Sequence, residues 1–155
     1  MKIDLSKFET SAQATTQICY NEETRNLDYR IKCEDFEDFK KCVSIIDRYN
    51  NFDHVRINKA FETFLNLKRY YNANNPNNGS DLFSYFVGRE SSPALYVGFY
   101  NPLGGLQYID EAGNPQDFES EDLERRIEAI KRFTDADEVH FVQDLGLDMV
   151  RLWWD

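Results

Sequence analysis

Residues 94–133 read ALYVGFYNPLGGLQYIDEAGNPQDFESEDLERRIEAIKRF, and their change of rhythm decides the fold class. Ala94–Tyr100 predicts a strand, with Leu95, Val97 and Phe99 on one face and Tyr96 and Tyr100 flanking Gly98 on the other. Asn101–Gly105 predicts a tight turn, because Gly104-Gly105 supplies the positive φ of a hairpin loop. Leu106–Asp110 then returns as a second strand, ended by Gly113-Asn114-Pro115. From Ser120 the apolar spacing becomes three and four: Leu123, Ile127, Ile130 and Phe133 form a predicted buried helix stripe. Ser120 suits an N-cap, and Glu121 and Asp122 suit the positive end of the helix dipole.

The same two rhythms recur outward from this stretch. Upstream, Gln17–Tyr20 and Leu27–Cys33 read as strands, and Glu34–Tyr49 and Val55–Tyr71 as amphipathic helices that pair into an αα-hairpin on the sheet. Asn72–Ser80, rich in Asn, reads as a surface loop, and Leu82–Val87 as a strand followed by a turn at Arg89–Pro93. Downstream, Glu138–Val142 and Leu147–Trp154 around a turn at Gln143–Gly146 read as a closing hairpin. Together these predict one α+β domain over residues 1–155: a mostly antiparallel sheet of about five to seven strands, packed in two layers by about three helices.

Composition narrows the class of function. With 41% hydrophobic and 15% aromatic residues the chain has the apolar load for a packed core and is not a disordered segment. The net charge is −10, and all of it lies in the C-terminal half: residues 79–155 hold 16 acids against 6 Lys and Arg, while residues 1–78 hold 12 of each. Such a surface repels phosphate backbones and anionic membranes and attracts basic proteins. Direct nucleic-acid or membrane binding is therefore not expected. Cys19, Cys33 and Cys42 are odd in number and unpatterned in spacing, which predicts reduced thiols rather than a disulfide framework. The opening residues lack an apolar signal region, so the expected location is cytoplasmic.

The distinctive chemistry is carboxylate. Asp110, Glu111, Asp117, Glu119, Glu121, Asp122 and Glu124 follow one another with no intervening Lys or Arg, and Asp135, Asp137 and Glu138 form a second cluster after the helix. Helix capping accounts for Glu121 and Asp122 but leaves Asp110, Glu111, Asp117 and Glu119 unexplained. The run lacks the residue pattern of a calcium loop, and Gly104-Gly105 lacks the Lys-Ser/Thr partner of a phosphate loop, so neither metal nor cofactor is expected. His54 and His140 are the only histidines, and no nucleophile motif surrounds any cysteine, so no catalytic residues are assigned. Trp153 and Trp154 point to opposite faces of a regular strand. One belongs to the core. The other is either covered by a helix or is an exposed anchor of the kind enriched at interfaces, the role in which Trp154 is grouped with the acidic residues.

The Gly-Gly hairpin of Leu95–Asp110, the Gly113 turn, the acidic loop, the Ala129–Phe133 helix segment and a closing strand ending in Trp resemble the immunity proteins of bacterial polymorphic-toxin systems. The resemblance lies within the C-terminal half. It implies a small cytoplasmic protein that binds and blocks a cognate toxin domain, and it carries over no catalytic residues. Joined to the charge, the leading expectation is a non-enzymatic inhibitor that occludes a basic surface of a toxin or nucleic-acid-processing enzyme. A phage-encoded inhibitor of a defence nuclease, acting as a nucleic-acid mimic, is a related expectation. The competing classes are a small enzyme using carboxylates or His140, and a structural or assembly subunit. The oligomeric state is not fixed by the sequence.

Overall fold

The computed structural model describes residues 4–21, 27–64, 70–72, 75–78, 83–99, 106–109, 112–117, 120–144 and 147–155. After a 3-10 turn at Leu5–Lys7, helix α1 spans Ser11–Cys19. This corrects the strand predicted over Gln17–Tyr20. The Thr10 side chain caps the helix by accepting from the Gln13 N–H at 3.1 Å, and Ala12, Thr16 and Cys19 are buried at helical spacing. Packing outweighed the β-leaning composition of Thr15-Thr16-Gln17-Ile18.

Strand β1 (Tyr29–Lys32) and helix α2 (Phe36–Ile46) follow. Asp35 caps α2, accepting from the Asp38 N–H at 2.8 Å, and Phe39, Cys42, Val43 and Ile46 are buried. A two-residue hairpin, β2 (Arg48–Tyr49) with β3 (Phe52–Asp53), joins α2 to α3 (His54–Phe64). Asn50, at φ 49°, makes its turn. Asp53 starts α3 by accepting from the N–H groups of Val55 (3.0 Å) and Arg56 (3.4 Å); those donors hold its carboxyl below the usual range. The helix predicted to reach Tyr71 is already over by β4 (Tyr70–Asn72), and β5 (Asn75–Asn78) lies inside the predicted loop Asn72–Ser80. Pairing of β4 with β5 is a backbone matter, and an Asn-rich strand carries no apolar alternation to announce it.

Strands β6 (Phe83–Arg89) and β7 (Pro93–Phe99) form a hairpin about Glu90–Ser92. Strand β8 (Leu106–Ile109) does not return along β7 as predicted. It pairs with β4 on one side and with β9 (Pro115–Asp117) on the other. The Gly104-Gly105 turn lies outside the described residues. Helix α4 (Ser120–Thr134) leads to the predicted closing hairpin, β10 (Glu138–Asp144) with β11 (Leu147–Trp153).

The result is an α+β fold. Its main sheet is antiparallel in the order β1-β6-β7-β11-β10, beside a four-stranded β5-β4-β8-β9 sheet and the small β2-β3 hairpin. Among the described residues four α-helices stand where about three were predicted. All four contribute to one apolar cluster against a single face of the main sheet. Ala12, Phe39, Ile57, Phe61, Ile127 and Ile130 meet Tyr85, Val87, Leu95, Val97, Val150 and Leu152 there. The opposite face carries a smaller cluster of Phe86, Ala94, Tyr96 and Met149, with Trp153 beside it. The α4 stripe turns differently from its prediction: Ile127, Ile130 and Thr134 are buried, whereas Phe133 is 58% exposed. From Ile130 the core continues at i+4, not i+3. No described helix is long and apolar enough to cross a membrane.

Candidate functional site

The acidic residues fall into two places. Asp117 ends β9, and Glu121, Asp122 and Glu124 occupy the first turns of α4. Asp110, Glu111 and Glu119 lie outside the described residues. Asp135, Asp137 and Glu138 stand at the other end of α4, which at 15 residues is roughly 20 Å long. The length of α4 thus separates Glu121, Asp122 and Glu124 from Asp135, Asp137 and Glu138.

The second cluster is a paired junction. Asp135, at φ 55°, ends α4, and its carboxylate accepts from Arg56 of α3 at 2.7 Å. Asp137 accepts from the Asp155 N–H at 2.8 Å and donates its own N–H to the Trp153 carbonyl at 2.9 Å. Glu138 lies 3.3 Å from both Arg151 and His140, while Arg151 Nε donates to Glu90 at 2.6 Å. These three acids are exposed, yet between them they tie α4 to α3, the chain end to the turn before β10, and β10 to β11.

Trp154 is not an exposed anchor. It is fully buried, stacked edge-on against Phe52 with ring centres 5.0 Å apart, and its Nε1–H donates to the Thr134 carbonyl at 2.9 Å. Its donor is satisfied inside the core, which is what an indole needs to be buried at low cost. Trp153 faces the other way, half-buried, with Nε1 donating to the Glu90 carbonyl at 3.1 Å and the Arg151 guanidinium 5.7 Å from its ring.

The histidines serve local roles. His54 Nδ1 lies 2.9 Å from Asp47, and His140 pairs with Glu138. All three cysteines are free and buried, and burial pushes the Cys19 thiol up. An open groove of about 450 Å³ beside α2 is lined by Lys40, Ser44, Asn58 and Glu62, and Lys40 is bound to Glu37 and Glu62, each at 2.9 Å.

Sequence reasoning passed over one constellation. Cys33, just after β1, meets Asp38 and Cys42 of α2, with all donor atoms within 4.8 Å of one another. It is the one such group among the described residues. The available signal was spacing: Asp38 and Cys42 are one helical turn apart, and Cys33 stands just ahead of the helix, before Glu34 and the Asp35 cap. No family model, curated protein or solved structure matches this chain.

Proposed function

We propose that this protein is a non-enzymatic, acidic inhibitor of the immunity type, which binds a basic surface of a toxin or nucleic-acid-processing enzyme in the cytoplasm. The observation that carries the reading is the charge asymmetry: the whole net −10 belongs to residues 79–155. Within that half the segment from Asp110 to Glu124 is the contact. Asp135 and Glu138 are already ion-paired to Arg56 and Arg151, so a partner's cations would have to displace internal ones there. Glu121, Asp122 and Glu124 lie in the opening turns of α4, where the helix dipole favours negative charge. Exposed charges of this kind steer encounter and fix register, and their contribution falls with ionic strength.

The test is capture of the protein on purified basic toxin and nuclease domains across a salt series. The wild type should bind at low salt and lose affinity steeply as salt rises. Combined substitution D117N/E119Q/E121Q/D122N should weaken binding by roughly a hundredfold or more. Binding indifferent to that quadruple change would remove the acidic segment from the interface.

A further inference from the structure

We infer that Cys33, Asp38 and Cys42 form a binding site for a thiophilic divalent cation of the zinc type. The three side chains are 2%, 4% and 0% exposed. Their donor atoms all lie within 4.8 Å of one another, with Cys42 Sγ 3.9 Å from Asp38 Oδ1. Two sulfurs and a carboxylate oxygen are a donor set that zinc and its heavier congener cadmium take readily.

The carboxylate supplies a second, independent argument. Asp38 Oδ1 accepts from Thr10 Oγ1 at 2.6 Å and from Gln13 Nε2 at 2.8 Å, and Oδ2 accepts from the Glu34 N–H at 2.8 Å. These three donors and the Cys42 thiol, which also donates to Oδ1, are neutral, and among the described residues no Lys, Arg or His pairs with this buried acid. The nearby Lys41 is bound instead to Glu9 at 2.7 Å. Burying an anion against neutral donors alone is costly. The same three donors also fix the carboxylate from outside, as the outer hydrogen bonds of metal ligands do.

Charge balance favours a dication. Each thiol releases one proton to solvent and each thiolate gives an electron pair to the metal. The site holds one net negative charge before binding, from Asp38, and one after it, from three anionic ligands and the cation. Binding therefore buries no additional net charge. Occupancy would also clamp α1, the end of β1 and α2 together, since Thr10 and Gln13 belong to the first of these helices and its cap.

The experiment adds cadmium as the probe to the reduced full-length protein, both native and refolded with the metal present, and follows the ultraviolet thiolate-to-metal charge-transfer band. The band should saturate at one equivalent, be displaced by zinc, vanish in Cys33→Ser and Cys42→Ser, and persist in Cys19→Ser. Asp38→Asn should weaken binding by about tenfold or more. Zinc should raise the melting temperature of the wild type, a readout that stands even where a serine variant folds poorly. Absence of the band in both preparations, or a band that survives either Cys33→Ser or Cys42→Ser, would overturn the assignment.

Discussion

Gly88 is a position where one added carbon decides the outcome. It pairs across the main sheet with Arg30 on β1 and Ala94 on β7. A Cβ there would collide with the Tyr29 carbonyl and stand 3.2 Å from the Tyr96 ring. The colliding atom is backbone, so relief requires β1 to move as a unit. Gly88→Ala is expected to destabilise the protein by about 2 kcal/mol or more, read from urea unfolding. Unchanged stability would mean that β1 slides away freely from β6. Trp154 carries the complementary lesson. Its neighbour Trp153 is indistinguishable from it by composition, and strand alternation assigns them opposite faces without saying which face the helices cover. The choice is made at a distance, by Phe52 and by the Thr134 carbonyl, which come from remote parts of the chain.

At the scale of elements, the periodic ones were legible and the weakly patterned ones were not. Helix α2 and the β10–β11 hairpin emerge where their apolar spacing predicts them, because burial on one face writes a repeat into the sequence. Helix α1 is mostly polar, and its end reads in the sequence as the strand Gln17–Tyr20; its support is the Thr10 cap and the buried contact of Gln13 with Asp38. Strand β8 was legible as a strand but not in its partner, since alternation gives a face and not a neighbour. The last turns of α4 can be tested directly. Ile130 is fully buried and Phe133, three residues on, is 58% exposed. Ile130→Ala should cost about 2–4 kcal/mol of unfolding free energy, and Phe133→Ala less than about 1 kcal/mol. Equal losses would show that α4 is rotated relative to the sheet.

Taken as a whole, the molecule joins an apolar, aromatic interior to an acidic C-terminal half, and the sequence declares the charge far more openly than the chemistry inside. The Cys33–Asp38–Cys42 group leaves only its spacing in the sequence, because its residues belong to a strand end and a helix, and only their packing makes them converge. The interior also sets the response of the fold to alkali. Burial pushes the Tyr20, Tyr29 and Tyr85 hydroxyls far above their ordinary value of 10.0. In the unfolded chain each ionises near that ordinary value, while in the fold each stays protonated. A group whose folded pKa is raised contributes stability that is intact below its unfolded pKa and is lost as pH climbs above it. The tyrosine contribution to the unfolding free energy should therefore be level up to about pH 9 and then fall by up to about 1.4 kcal/mol per pH unit for each of these tyrosines. Tyr85 isolates the effect, because its hydroxyl is buried with no hydrogen-bond partner among the described residues. Tyr85→Phe should keep or slightly raise stability at neutral pH, by at most about 1 kcal/mol, and should reduce the alkaline slope by one tyrosine's share. Urea titrations of both proteins between about pH 7 and pH 11, with tyrosinate absorbance followed in parallel, measure this. If the two slopes coincide, Tyr85 ionises in the folded protein as readily as in the unfolded one, and the aromatic interior is open to hydroxide.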